Sequence, residues 1–182
     1  MNKKTVIGLL ILLTVIVAGI STYIIIDQYQ AKQESIRQEE AARLLAEEQA
    51  KKQIEIQALA EKVLALFDNE DKVFLAADIT EEKIKEISDM ISIQEGENLN
   101  DESMLLLNSI LIDFRQAKAM FNIQEGIASL TPESLLTEEG AAQLNEIQTA
   151  LNEKIDLDTK ALFIEQQQAL IDELKAQVQS TS

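Results

Sequence analysis

The chain has 182 residues, of which 16 are basic and 32 acidic, so its formal net charge is −16 and its isoelectric point is near 4.3. Such a negative field repels phosphate backbones, and we therefore expect no nucleic-acid partner. The sequence contains no Cys and no His, which excludes disulfides, thiolate nucleophiles and imidazole bases, and makes a zinc site rare. We therefore predict no enzyme, and no catalytic, cofactor-binding or metal-binding residues.

Residues 5–26 form an uninterrupted apolar segment without a charged side chain. As a helix rising about 1.5 Å per residue, the segment is about 33 Å long, which is enough to cross the hydrocarbon core of a bilayer. A cleaved secretory signal has a shorter apolar region of about 7–15 residues that ends at a small-residue site. Here the small cluster at residues 18–21 lies inside the apolar run. The pattern favours a retained transmembrane anchor, and a secreted protein released by signal cleavage is the alternative.

The charges that flank this segment predict its orientation. Lys3 and Lys4 precede it within residues 1–4, and the first charge after it is the acidic Asp27. By the positive-inside bias, residues 1–4 stay in the cytosol and the chain after the span is exported. We therefore expect a single-pass cell-membrane protein with an extracellular C terminus, which contacts the lipid bilayer through residues 5–26.

Residues 27–53 are predicted to form a charged helical stalk that continues from the span. Their apolar residues are sparse and do not keep a heptad, which argues against a long coiled-coil seam. The segment has neither Gly nor Pro, and pairs such as Glu39/Arg43 and Glu47/Lys51 place an acid four residues before a base. A fully helical stalk would be about 40 Å long.

After the stalk, the spacing of apolar residues becomes typical of a packed helical module, residues 54–121. Its first helix is predicted to bury Ile56, Leu59, Val63 and Leu66. The acidic residues 68–71 are predicted to end that helix and to cap a short helix through residues 72–75. Thr80, followed by two glutamates, opens the next helix, whose apolar face contains Ile84, Ile87 and Ile91.

A loop at residues 94–100 leads to the most apolar helix outside the span, which Asp101 is predicted to cap. We expect this helix at the centre of the fold. Its stripe comprises Met104, Leu107, Leu111, Phe114 and Phe121, broadened by Leu105 and Ile112. The last helix is predicted to use Phe163, Ile164, Leu170, Ile171, Leu174 and Val178.

The second part of the chain repeats the first at a spacing of 57 residues. The shift places Thr80 on Thr137 and Asp101 on Asp158. It also aligns Ile87 with Leu144, Met90 with Ile147, Leu105 with Leu162 and Ala60 with Ala117. A turn opened by Thr131 and Pro132 separates the halves. The sequence therefore predicts an all-α protein in which an anchor and stalk precede two tandem small helical-bundle modules, residues 54–121 and 117–178, that share the central helix, with a tail at residues 179–182.

One set of motifs in these modules resembles a known family. It comprises AEKVLALF at residues 60–67, then Leu75, DIT at residues 78–80 with Ile84, and FRQAKAMFNI at residues 114–123. These motifs are similar to the extracellular helical domain of mid-cell-anchored protein Z and to the related tandem repeats of insecticidal crystal-toxin C-terminal domains. The resemblance covers about residues 57–178 and implies a surface-exposed helical module of Gram-positive bacteria that contacts protein or cell wall. Because only about four residues precede the span, the division-site role of a long cytosolic region is not carried over.

Two features of the sequence could indicate a binding site: the acidic residues 68–82 and the five Phe residues. Residues 68–82 are acidic like a calcium loop, but Lys72 replaces an oxygen ligand and no Gly provides the sharp turn of an EF-hand. We interpret them as a capping, solvated cluster. The five Phe residues fall on apolar stripes and the chain lacks Trp, which favours core packing over stacking against sugars.

Three functions follow as hypotheses. The first is a membrane-anchored adaptor or scaffold whose acidic helical modules bind another protein of the bacterial envelope, in a cell-division or cell-wall context, with self-association left open. The second is a module that binds a cell-wall polymer, which the few aromatic residues and the strong negative charge disfavour. The third is a membrane-tethered enzyme built on carboxylates, for which no site emerges.

The retained anchor gives the first testable prediction. Mature protein should fractionate with membranes and keep Met1 or Asn2 at its N terminus, because the apolar run extends beyond the small-residue cluster. N-terminal sequencing of the membrane and soluble fractions checks this. A soluble product that begins near Thr22 would contradict it.

Overall fold

The computed structural model describes the backbone of residues 3–181 and the side chains of residues 28–180. Over that part of the chain the protein is all-helical, as predicted, with five α-helices and one short 3-10 helix. The α-helices are α1 (Lys3–Leu64), α2 (Glu81–Glu95), α3 (Asp101–Ser129), α4 (Glu138–Glu153) and α5 (Leu157–Thr181), and the 3-10 helix (Ser134–Leu136) precedes α4. Helix α5 continues into the segment that was predicted as a tail.

The chain divides into two compact units, residues 1–50 and residues 51–182. The first unit belongs to α1, and its described side chains, residues 28–50, are exposed apart from Gln49. Even Ile36, Leu44 and Leu45 are more than half exposed. Arg43 Nε and Glu47 Oε1 lie 3.5 Å apart on this surface, a pair that contributes only about 0.3–0.5 kcal/mol because it is solvated.

The predicted anchor, residues 5–26, lies outside the residues whose side chains are described. Among those that are described, no helix is both long enough and apolar enough to cross a membrane. The anchor therefore stays a prediction from the sequence.

In the unit of residues 51–182, α1 and α2 run antiparallel. Lys62 Nζ near the end of α1 lies 2.5 Å from Glu86 Oε1 in the first half of α2. Gln94 Nε2 near the end of α2 instead donates to Glu55 Oε2 at 3.4 Å, one turn after the unit begins. The apolar faces of both helices are buried as predicted: Ile56, Leu59, Val63 and Leu66 on the α1 side, and Ile84, Ile87 and Ile91 on α2.

The buried stripe of α3 differs from the predicted one. Met104, Leu105 and Ile112 were assigned to the core but are 50%, 72% and 62% exposed. Leu111 and Phe121 are only partly buried. The buried positions follow one another at spacings of three or four residues and are Ser103, Leu107, Ile110, Phe114, Ala117, Met120, Ile123 and Ile127. The prediction assigned the largest apolar side chains to the core. The helical period instead determines which positions of α3 face the core, even where such a position carries a small residue.

The short helix predicted at residues 72–75 is absent from the structure. The chain there folds back on itself through a single antiparallel bridge between Phe67 and Leu75, and the Asp68 amide donates to the Phe74 carbonyl at 3.1 Å. Lys72 has a φ of 56°, the left-handed region, which cannot continue a right-handed helix. Residues 66–76, bounded by the hydrogen bond from the Ala76 amide to the Leu66 carbonyl, are called the return segment below.

Helix caps were predicted with mixed success. Thr80 caps α2, because its Oγ1 accepts from the Lys83 amide at 3.3 Å. The predicted cap Asp101 is wrong by one residue, since Asn100 Oδ1 accepts from the Ser103 amide at 2.8 Å and Asp101 is already helical. Asp158 was also predicted to cap a helix, but it is already inside α5.

At the start of α5 the capping residue is Asp156. Its Oδ1 accepts from the Asp158 amide at 3.1 Å and its Oδ2 accepts from Thr159 Oγ1 at 2.9 Å. Further along α5, Phe163 and Ile171 are fully buried as predicted, but Leu170 is 42% exposed. Ile164, Leu174 and Val178 are partly buried.

The 57-residue spacing recurs in the burial pattern. Thr137 caps α4 as Thr80 caps α2, with Oγ1 accepting from the Gly140 amide at 3.1 Å. Both members are buried in seven pairs at this spacing: Val63/Met120, Leu66/Ile123, Ile87/Leu144, Gln94/Leu151, Ser103/Lys160, Ile110/Gln167 and Phe114/Ile171. The pair Leu105/Leu162, which was predicted to lie in the core, is exposed at both positions.

Two glycines allow α4 to pack closely. A Cβ on Gly126 of α3 would lie 2.9 Å from the Ile147 side chain of α4, and one on Gly140 would lie 2.1 Å from the Ser134 carbonyl oxygen. Backbone cannot yield as a flexible side chain can. Gly140 is therefore required where α4 crosses the 3-10 helix.

Replacing Gly140 tests this packing. Gly140→Ala should lower the stability by about 1–3 kcal/mol, because the new methyl group overlaps backbone. Thermal melts followed by circular dichroism should show a fall of about 2–4 °C per kcal/mol.

Gly96→Ala is the matched control. Gly96 is in the right-handed helical region and its nearest new contact is an ordinary 3.5 Å, so this change should be neutral or stabilising by up to about 1 kcal/mol. Equal melting of the two variants would contradict the close approach.

Candidate functional site

A groove of about 530 Å³ lies between α3 and α5 in the unit of residues 51–182. One wall comes from α3 and the residue after it, with Gln124, Ile127, Ala128 and Leu130. The other wall comes from α5, with Gln166, Gln167, Leu170, Glu173, Leu174 and Gln177. This set of residues is called the α3–α5 groove.

The groove has an apolar floor and a polar rim. Ile127 and Leu130 are buried, and Leu174 is partly buried. Leu170 is 42% exposed, so an apolar side chain is directly accessible in the groove. Gln124, Gln166 and Gln177 supply amides around it, and Glu173 supplies a carboxylate. An apolar cleft with a few polar groups at its edge is typical of a binding site rather than of a solvated surface.

Gln167 is the most buried polar residue that lines the groove. It is only 2% exposed and lies one helical turn from each of the fully buried Phe163 and Ile171. Its position between two core residues places it at the base of the groove.

A second cluster surrounds Lys160, where α5 is kinked. Lys160 has the non-helical angles φ −122° and ψ 20° and is 5% exposed. Its Nζ lies 5.7 Å from the centroid of the Phe67 ring, within the range of a cation–π interaction. Lys72 Nζ, from the return segment, lies 2.5 Å from Asp113 Oδ2 on α3.

Burial is the main influence on the pKa of Lys160. It lowers the pKa below the ordinary lysine value, Asp113 raises it, Lys72 lowers it and Asp156 raises it. The side chain is only 5% exposed and lies against Phe67, so we assign it a positioning role. It holds the start of α5 against the return segment and the middle of α3.

A hydrogen-bonded turn completes this junction. Gln116 of α3 donates from Nε2 to the Lys154 carbonyl at 3.1 Å and accepts at Oε1 from the Asp156 amide at 3.1 Å. One glutamine side chain therefore holds both sides of the connection between α4 and α5.

The acidic residues 68–82 and the five Phe side chains do not line the α3–α5 groove. In residues 68–82, Lys72 is paired with Asp113, and Lys83 donates to Asp78 at 2.5 Å, which lowers the pKa of that carboxyl. Within the described chain, no three Asp or Glu side chains are placed to hold a metal ion. All five Phe side chains are buried or partly buried, in agreement with their assignment to the core.

Sequence reasoning did not find Gln167 or Lys160. The signal was present, because each occupies a position on the apolar face of α5 at helical spacing from Phe163 and Ile171. A polar residue within such a face is informative, since buried polar groups need a partner.

Comparison with known proteins gives no match to this chain among family models, curated proteins or solved structures. The protein is thus defined here by its own architecture, an all-helical chain with a groove between α3 and α5. The resemblance to the division-protein domain and the toxin repeats stays a prediction.

Removing the Lys160 charge tests the cost of its burial. An unfolded lysine titrates near pH 10.4, and the folded pKa is lower, so the penalty is full at neutral pH and fades as the pH rises to that value. Lys160→Met should therefore melt at a higher temperature than the parent at pH 7, with a smaller difference at pH 10.

Lys154→Met, at an exposed neighbouring lysine, is the control and should change little at either pH. Thermal melts of both variants at the two pH values give the comparison. A Lys160→Met melting temperature below that of the parent at pH 7 would show that the attraction of Asp113, Asp156 and Phe67 outweighs desolvation.

Proposed function

We propose that the protein is a membrane-anchored adaptor of the bacterial envelope that binds another envelope protein through the α3–α5 groove. Residues 5–26 would anchor it, residues 27–53 would act as an extracellular stalk, and residues 54–178 would form the binding part. The observation that carries the proposal is the groove, with its apolar floor at Ile127 and Leu130 and its accessible Leu170.

The size and chemistry of the groove fit a protein segment. Interfaces obtain most of their affinity from a few side chains that enter apolar pockets surrounded by polar groups. A groove of about 530 Å³ can receive such anchors, and its amides can pair with backbone groups of a partner. No enzymatic activity is proposed.

The proposal includes two tandem modules, residues 54–121 and 117–178, that share α3. Equivalent threonine caps at Thr80 and Thr137 support this division. The seven pairs of buried residues at a spacing of 57 support it further. Two stacked modules would bury a continuous core and leave the α3–α5 groove accessible to a partner.

The membrane part of the proposal rests on sequence alone. The length of the uncharged run at residues 5–26 and the preceding lysines support a signal-anchor with the C terminus outside. The exposed, charged α1 surface at residues 28–48 suits a solvated spacer between a membrane and a binding unit.

A cell-wall polymer is the second candidate ligand. The amides of Gln124 and Gln166 favour it, because they could pair with sugar hydroxyls. The absence of an aromatic side chain from the groove lining argues against it, since sugars commonly stack on such rings.

Site-specific photocross-linking in the native host tests the proposal. A photoreactive residue at position 170 of the full chain should give a discrete adduct of protein mass, because that side chain lies in the groove. The same residue at position 162 is the control: Leu162 is also an exposed leucine of α5, 59% exposed, but does not line the groove.

The adduct should be lost after protease treatment of its partner and should withstand glycan hydrolases. A ladder of adducts that glycan hydrolases collapse would support the wall polymer instead. Equal labelling from positions 162 and 170 would contradict a binding role for the groove.

A further inference from the structure

The two halves of the unit differ where the α3–α5 groove lies. Helix α1 ends at Leu64, whose counterpart 57 residues later is Phe121, but α3 continues for eight more residues to Ser129. In the first half the chain leaves the helix and forms the return segment. In the second half the corresponding residues stay helical and form one wall of the groove.

The same spacing relates the walls of the groove to a site in the first half that is already occupied. Gln124 corresponds to Phe67, Leu170 to Asp113, and Glu173 to Gln116. Phe67 lies beneath Lys160, Asp113 is the first of the charges that hold the Lys160 pKa up, and Gln116 binds the turn that leads to α5. The first-half counterpart of the groove is therefore filled by the start of α5.

The occupant of the first site has a definite chemistry. It is the first turn of a helix, with the Asp156 amide directed at Gln116 and the Lys160 side chain directed at Phe67 and Asp113. The second site has no such occupant within the described chain, which leaves Leu170 accessible.

The residues that differ between the two sites indicate how an occupant of the second site should differ from the start of α5. In the first site, the acidic Asp113 faces Lys160 of the occupant. The corresponding residue of the second site is Leu170, which favours an occupant with an apolar side chain at that position. In the first site, the neutral Gln116 accepts a hydrogen bond from a backbone amide of the occupant. The corresponding residue of the second site is Glu173, whose negative charge favours the positive N-terminal end of a helix. The net negative charge of the chain also favours binding of the positive end of a helix.

We propose that the α3–α5 groove binds the first turn of a partner α-helix, with an apolar side chain of that turn against Leu170 and its free backbone amides at Glu173. The partner helix would dock in trans as α5 docks in cis, and Gln167 would pair with a polar group of the docked turn. This assignment rests on the proposed adaptor function, because it names the kind of segment that the adaptor binds.

A peptide taken from the chain itself provides the probe. It spans residues 151–165, which include the turn held by Gln116 and the start of α5. Two versions are compared for binding to the full-length protein in detergent micelles by fluorescence anisotropy: the natural sequence with Lys160, and the same peptide carrying Lys160→Leu. The Leu peptide should bind about tenfold more tightly, because it buries an apolar side chain in place of a charged one.

Variants of the full chain make the test specific. Leu170→Asp gives the groove the acidic residue found in the first site, so it should reverse the preference and favour the Lys160 peptide. Glu173→Ala should weaken both peptides about two- to fivefold, because it removes the charge that faces the helix start. Leu162→Asp, on an exposed position of α5 outside the groove, should leave both affinities unchanged.

The outcomes separate this inference from the adaptor function. Failure of both peptides to bind, or equal effects of Leu170→Asp and Leu162→Asp, would overturn the helix-start assignment. Protein adducts from position 170 would then still support an adaptor. Peptide binding with reversal by Leu170→Asp, but no protein adduct from position 170 in the host, would support the chemistry of the groove and overturn the adaptor function.

Discussion

The structure depends on one constraint, that α3 must bury a continuous face against two different sets of neighbours. Helix α2 lies beside it as far as Asn122, and contacts with the second half are already present at Gln116, so the two sets overlap along the helix. The stripe from Ser103 to Ile127 meets this constraint with a regular spacing of three or four residues. Small side chains are part of the solution: Ala117 is completely buried where the two halves overlap, and Gly126 lets α4 approach.

The junction between the halves is polar, although the core around it is apolar. Lys160 lies over Phe67, Lys72 is paired with Asp113, and Gln116 holds the backbone of the turn before α5. Burying an amine is unfavourable, whereas the ion pair and the hydrogen bonds of Gln116 offset part of that cost.

The two sides of α5 explain where the groove lies. One side packs into the core, where Phe163 and Ile171 are fully buried. Within the described chain, Leu170 on this helix instead lines the groove and is 42% exposed. A helix surface that only faced solvent would be expected to be polar. The apolar floor of the groove is what favours a binding role in our proposal.

The sequence by itself determined the all-helical class, the threonine caps of α2 and α4, and the buried faces of α1 and α2, because these follow from short-range spacing and capping. The 57-residue spacing read from the sequence recurs in seven pairs of buried residues, although Leu105 and Leu162 were wrongly placed in the core and the division into two modules stays a prediction. Only the tertiary structure decided which face of α3 is buried, that residues 66–76 return through a bridge and a left-handed Lys72, and that Lys160 and Gln167 are enclosed. The buried face of α3 and the burial of Lys160 depend on helices that lie far apart in the chain, and local periodicity contains no information about which distant side chain will cover a given face. The return segment is closed by a short-range bridge, but no sequence motif of a turn indicated it.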